Sequence, residues 1–140
     1  MKSILNIFLM LGLVVSVGLA QAKEDVPASI DGAVTVNAEG LIDLVDQYED
    51  LVIIDSRKPS DREKGFIEGS VGLPDTDTTP ESLAQHIASK STSVVFYCNG
   101  VKCGRSVTAT KVAIAAGYSK VYWFRTGWEE WTTKGYPVAH

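Results

Sequence analysis

Val94-Val95-Phe96-Tyr97-Cys98-Asn99-Gly100-Val101-Lys102-Cys103-Gly104-Arg105-Ser106-Val107 decides how this chain is read. An apolar run of β type ends in a cysteine. A short loop follows with two glycines and two cations, Lys102 and Arg105, and a helical pattern begins near Ser106. That order sets a thiol at the C-terminal edge of a buried strand, facing the N-terminus of the next helix. Backbone N–H groups and the helix dipole converge at such a place and favour negative charge. A thiol there is stabilised as the thiolate, its nucleophilic form. Asn99, Gly100 and Gly104 are expected to act through their backbones, the glycines by freeing the dihedrals that turn N–H groups inward.

Outward from that loop, the same alternation of strand and helix repeats. Val34-Thr35-Val36 reads as a short strand, and Asn37 caps a helix over residues 38–48 that repeats Leu41, Leu44 and Val45 on one face. Leu51-Val52-Ile53-Ile54 is an apolar run that ends at Asp55. Pro59 opens a short helix that Gly65 stops, a short strand surrounds Val71 and Leu73, and residues 75–79 form a polar loop. Thr79 caps a helix opened by Pro80, with Leu83, Ile87 and Ala88 on its apolar side. Residues 106–116 are helical up to Gly117, Val121-Tyr122-Trp123-Phe124 is a strand, and residues 127–134 form a closing helix. This alternation predicts an α/β fold, a small parallel sheet flanked by helices on both faces. Ligands bind such sheets beyond the carboxyl ends of the strands, where both Cys98 and Asp55 fall. Tyr122, Trp123, Trp128 and Trp131 read as core, with Trp128 near enough to the site to wall it.

The N-terminal segment has a different character. Lys2 precedes an apolar run from Ile4 to Ala20, and Ala20-Gln21-Ala22 lies just before Lys23-Glu24-Asp25. This is the pattern of a secretory signal peptide, with cleavage expected after Ala22 and export, in a bacterium to the periplasm. The alternative is an uncleaved anchor, since the run is close to the ~17 residues that can span a bilayer. Removing residues 1–22 from 140 leaves 118, one domain's worth, with residues 23–33 as a loose lead-in and residues 34–140 as the domain. With Lys2 gone, 12 basic residues face 17 acidic ones. No basic stripe is present, so nucleic acid is excluded as a partner. The two cysteines, Cys98 and Cys103, share one loop. Structural disulfides tie distant segments, so this pair points to chemistry.

Four further segments, in order, resemble the single-domain rhodanese (thiosulfate sulfurtransferase) family. Ile53-Ile54-Asp55-Ser56-Arg57 resembles its Asp-x-Arg strand end, and Gly65-Phe66-Ile67-Glu68-Gly69-Ser70 its Gly-His-Ile-x-Gly-Ala segment. Phe124-Arg125-Thr126-Gly127-Trp128 through Trp131 resembles its Gly-Gly-x-x-x-Trp element, and Gly135-Tyr136-Pro137-Val138 its Gly-Tyr-Pro-Val. Cys98 falls where the family carries its sulfur-accepting cysteine. The likeness runs from Val34 to Val138. Phe66 and Thr126 depart from the pattern, and the loop is longer by two residues. The family's arginine lies about five positions after the cysteine, whereas here Cys103 takes that position and Arg105 lies seven after Cys98.

The resemblance implies a double displacement through a persulfide on Cys98, with a small anionic sulfur donor and a thiol or cyanide acceptor. It implies no cofactor and no metal, and for the exported chain a monomer without stable membrane contact. The expected donor site is Asn99, Gly100, Val101, Lys102, Cys103, Gly104 and Arg105, with Asp55 and Arg57 supporting the strand end beneath it. No histidine is positioned as a base, because His86 lies in another helix and His140 is the last residue. Arg105, a planar fork at the helix start, is expected to matter more than Lys102. Three alternatives stay open at this point. One is a thiol–disulfide redox protein using Cys98 and Cys103, another a sulfur-carrying or binding module without turnover, and the weakest a phosphatase with the same type of loop. A Cys98–Cys103 bridge meets a geometric difficulty, since amides turned inward direct neighbouring side chains outward.

Overall fold

Residues 94–97 are wholly buried, as an apolar run without polar alternation must be when both faces of its strand are covered. In the computed structural model, which describes residues 25–140, they form the middle of the sheet. The expected leader at residues 1–22 lies outside the described residues. The elements follow as β1 (Ala33–Val36), α1 (Ala38–Gln47), β2 (Val52–Asp55), α2 (Pro59–Arg62), β3 (Phe66–Ile67), β4 (Val71–Gly72), α3 (Pro80–His86), β5 (Val94–Tyr97), α4 (Arg105–Ala115), β6 (Val121–Phe124), α5 (Gly127–Thr133) and β7 (Val138–Ala139). The main sheet has the order β1-β6-β5-β2-β4, with every pairing parallel.

The two-residue period of the strands splits the core into two layers. Ile54, Val94, Phe96 and Val121 pack with Leu83 and Ile87 from the α3 segment and with Ala109 and Ala113 of α4. Ile53, Val95, Tyr97 and Phe124 pack on the other side with Ala38 and Leu41 of α1 and Trp131 of α5. Helices therefore cover both faces, as the alternation of elements requires. The helix starts are set locally. The Asn37 side chain accepts from the Gly40 N–H at 2.8 Å, and Thr79 and Ser82 form a reciprocal capping box.

Three details differ from the sequence-based expectation. Residues 25–33 are not a loose lead-in. Ile30 is buried against Val107 and Trp123, Arg125 Nε donates to the Pro27 carbonyl at 2.9 Å, and β1 already includes Ala33. The polar stretch after Pro74 winds into a 3₁₀ turn at Asp75–Asp77. Finally, β3 and β7 pair antiparallel in a separate two-stranded ribbon, too short to show a periodicity in sequence. Among the described residues, no helix is long and apolar enough to cross a membrane.

Tyr97 is the one core side chain in β5 with a polar end. Its hydroxyl donates to Asp55 Oδ2 at 2.9 Å, accepts from the Ile67 N–H at 3.1 Å and lies 3.2 Å from Ser70 Oγ. Burial, reinforced by the Asp55 charge, pushes the Tyr97 phenol up to about 12. The folded chain thus holds this proton more tightly than the unfolded chain. The resulting stabilisation is whole below the ordinary value of 10.0 and is lost as pH climbs toward about 12. Tyr97→Phe should cost ~1–3 kcal/mol at neutral pH, because it leaves a buried N–H without its acceptor. It should also remove the Tyr97 part of the alkaline loss. Urea unfolding at neutral and alkaline pH measures both, and a variant that loses stability above pH ~10 as steeply as the wild type would contradict the second.

Candidate functional site

Three chain segments leave the sheet side by side at its C-terminal edge: residues 55–57 after β2, the loop after β5, and residues 125–127 after β6. The first is held by an ion-pair network. Asp55 is 1% exposed and Arg57 2%. Arg57 meets Asp55 with both Nε, at 2.9 Å, and Nη2, at 2.8 Å, and Arg57 Nη2 also donates to the Gly65 carbonyl. Arg62 Nη1 reaches the same carboxylate at 3.2 Å. Two guanidiniums thus share one carboxylate. Burial pulls the Arg57 guanidinium down, but the hydrogen bonds and charge of Asp55 outweigh it and hold it above its ordinary value. Arg57 further stacks on the Trp128 ring, 4.5 Å from its centroid. Asp55 and Arg57 are therefore a buried, mutually paired couple at the end of β2. Trp128 covers Arg57 and does not line the loop cavity.

The loop is fastened on its Cys98 side. The Cys98 carbonyl accepts from the Trp128 N–H and the Asn99 carbonyl from the Glu129 N–H, both at 2.9 Å. The Asn99 side chain donates to Asp61 Oδ2 at 3.1 Å. Gly127 makes the close approach of this turn possible. It has φ +52°, and a Cβ there would lie 2.2 Å from the Cys98 carbonyl oxygen. On the far side the Cys103 N–H donates to the Gly100 carbonyl at 3.0 Å, closing a tight turn. Among the described residues, the backbone N–H groups of residues 99–102 and 104–107 donate to no other group. They are donors that the loop leaves free to meet a ligand. The fold sets them between a strand end and a helix start, where no carbonyl is in register to take them.

Asn99, Gly100, Val101, Lys102, Cys103 and Glu129 line an open cavity of about 460 Å³. Five expected site residues are thus together. Cys98 lies behind them, 2% exposed, and is joined to Cys103 in a disulfide with Cα atoms 6.2 Å apart, inside the usual range. The geometric objection to this bridge is overturned by the turn from Gly100 to Cys103, which folds the lengthened loop back on itself. The expected role of the glycines also changes. Neither Gly100 nor Gly104 has a positive φ. A Cβ at Gly100 would lie 2.8 Å from Glu129 Oε2, the movable tip of a flexible side chain, so neither dihedral freedom nor space demands glycine there.

Arg105 and Gly104 stand apart from this cavity. Arg105 opens α4 and is paired with Asp75 in the 3₁₀ turn, so its charge is already compensated. Lys102 is exposed and forms no ion pair among the described residues. The ground for ranking Arg105 above Lys102 is thereby removed. Glu129 is the residue that inspection of the loop alone missed. Its signal was its place in the first turn of α5, the helix that follows β6, the strand next to β5. Its carboxylate against the cavity opposes an anionic ligand, and Lys102 favours one.

These charges have a measurable consequence at the reduced thiol. Alkylation by anionic iodoacetate, relative to neutral iodoacetamide, should slow by about two- to fivefold in Lys102→Ala and quicken by a similar factor in Glu129→Gln. That is the effect of one nearby charge in water, ~1 kcal/mol or less. Both effects should shrink at high salt, and Arg105→Ala should do less than Lys102→Ala. A larger loss in Arg105→Ala would return that residue to the donor site.

Known proteins bear out the fold. The rhodanese-like domain family matches residues 37–134. A protein from Bacillus halodurans is similar in structure with a TM-score of 0.67 at 20% identity, over 76% of this chain and 77% of that one. A rhodanese-like domain from Anabaena gives 0.56 at 23% identity, over 64% of this chain and 99% of that one. A thiosulfate sulfurtransferase from Pseudomonas aeruginosa gives 0.66 at 22% identity over 77% of this chain, which spans 20% of that enzyme. No curated protein matches the sequence. With the family's model matched over residues 37–134 of the 140, the chain belongs to the rhodanese-like domain family.

Proposed function

We propose that this chain is a sulfurtransferase, moving sulfane sulfur from thiosulfate or a similar donor to a thiophilic acceptor through a persulfide on Cys98. The observation that carries this is the place of Cys98. It ends the buried central strand, under a loop in which, among the described residues, the N–H groups of residues 99–102 and 104–107 have no other acceptor. Such a loop stabilises both a thiolate and an anionic donor. In the forward step the Cys98 thiolate attacks the outer sulfur of thiosulfate. The sulfur–sulfur bond of the donor breaks, and sulfite leaves with the electron pair. In the return step cyanide or a thiolate attacks the outer sulfur of the persulfide, and Cys98 leaves as the thiolate.

The disulfide sets a condition on this chemistry, because a sulfur bonded to Cys103 cannot accept another until the bridge is reduced. It also favours a second possibility, a thiol–disulfide redox protein using the same two residues. Sulfite release, followed with intact mass after reduction and incubation with thiosulfate, separates the two. Release of one sulfite per chain, absent in Cys98→Ser, is the expected result. Loss of two hydrogens with no sulfur uptake and no sulfite favours redox work. Cys98→Ser should also abolish thiosulfate:cyanide transfer, and more than a trace of remaining activity would move the nucleophile to Cys103.

We further place the chain outside the cytoplasm, on the pattern of residues 1–22. N-terminal sequencing of protein recovered from the producing cells should begin at Lys23, and recovery of Met1 would contradict export by cleavage.

A further inference from the structure

The two cysteines are not equivalent in their surroundings. Cys98 is buried, and the Trp128 and Glu129 N–H groups fasten its stretch of loop. Cys103 is half-buried and lines the open cavity. Among the described residues, the turn to Gly100 and the bond to Cys98 hold it. The disulfide establishes that Cys103 Sγ reaches Cys98 Sγ, the inner sulfur of a persulfide there. No residue between them takes a positive φ to allow it.

Given the sulfur-accepting role proposed for Cys98, we infer that Cys103 is a resolving thiol that expels the accepted sulfur as sulfide. The Cys103 thiolate attacks Cys98 Sγ. The bond from Cys98 Sγ to the sulfane sulfur breaks, and hydrosulfide leaves with the electron pair. The sulfane sulfur gains two electrons, and the two cysteines lose two in forming the observed disulfide. A dithiol reductant then attacks Sγ of the half-buried Cys103, which lines the cavity, and Cys98 leaves as the thiolate. A second attack within the dithiol completes its oxidation and frees Cys103. Over one cycle thiosulfate and the dithiol become sulfite, hydrogen sulfide and the oxidised dithiol. The chain is thus a dithiol-driven producer of sulfide, and cyanide or a monothiol acceptor is dispensable.

This differs from a disulfide that only blocks the nucleophile. A blocking bridge forms by oxidation from outside, whereas the resolving bridge forms without any oxidant because the persulfide itself is reduced. The asymmetry of burial also assigns the direction of regeneration, since only one of the two sulfurs is open to a dithiol in the cavity.

The test is a single turnover without oxygen. The full chain is reduced, freed of reductant and mixed with thiosulfate, and sulfite, sulfide and intact mass are measured. The wild type should release sulfide equal in amount to sulfite and end as the Cys98–Cys103 disulfide with no added sulfur. Cys103→Ser should release sulfite without sulfide and retain one extra sulfur on Cys98. A wild type that releases sulfite, keeps the extra sulfur and yields no sulfide would overturn the resolving role while leaving sulfur acceptance by Cys98 intact. Absence of sulfite from the wild type would overturn sulfur acceptance and the resolving role together. The wild-type measurement stands by itself even if the serine variant folds poorly.

Discussion

The buried carboxylate of Asp55 is the constraint from which the site is built. It accepts from the Arg57 backbone N–H and from Arg57 Nε and Nη2, Arg62 Nη1 and the Tyr97 hydroxyl. A carboxylate this far from water is tolerated only when its oxygens are filled by charged or well-aligned donors. Those donors come from the end of β2, from α2 and from β5, the strand that delivers Cys98. Arg57 and Arg62 then pass the constraint outward, one to the Gly65 carbonyl and the other to Ser70. The segment carrying β3 is thus tied to the same point. Removing Asp55 would leave the buried Arg57 charge uncompensated, a loss on the order of 3–5 kcal/mol.

The second fixed point is the contact between the turn after β6 and the loop after β5. Gly127 lets two backbones meet where any side chain would collide with the Cys98 carbonyl. The two N–H groups that follow it then hold the carbonyls of Cys98 and Asn99. One half of the loop is therefore fastened to the segment after β6. Among the described residues, the other half is held by its own turn and the disulfide. This division gives the two cysteines different surroundings.

Charge at the site is balanced narrowly. The chain is net acidic, Arg105 is neutralised by Asp75, and Glu129 faces the cavity. Unpaired backbone donors and Lys102 remain to attract an anion. Backbone dipoles fixed by the fold need no reorganisation to meet a ligand, so they act effectively even where side-chain charge is scarce.

Much of this could be read from residue order. Unbroken apolar runs at residues 52–54 and 94–97 can be satisfied only as strands covered on both faces, and the capping residues Asn37 and Thr79 mark their helices by local hydrogen bonding. The position of Cys98 at a strand end, and of Asp55 and Arg57 beneath it, followed from the same local rules. Contacts between segments distant in sequence did not. Asp75 meets Arg105 across 30 residues, Asn99 meets Asp61 across 38, and Glu129 enters the cavity because β6 lies beside β5. The β3–β7 ribbon and the packing of Ile30 likewise depend on partners far along the chain. The bridge itself needed the fold, because spacing alone leaves open whether Cys103 points toward Cys98 or away. Short-range periodicity and capping are written in consecutive residues, whereas pairing of charges and direction of side chains in a loop are decided only when the sheet brings its strand ends together.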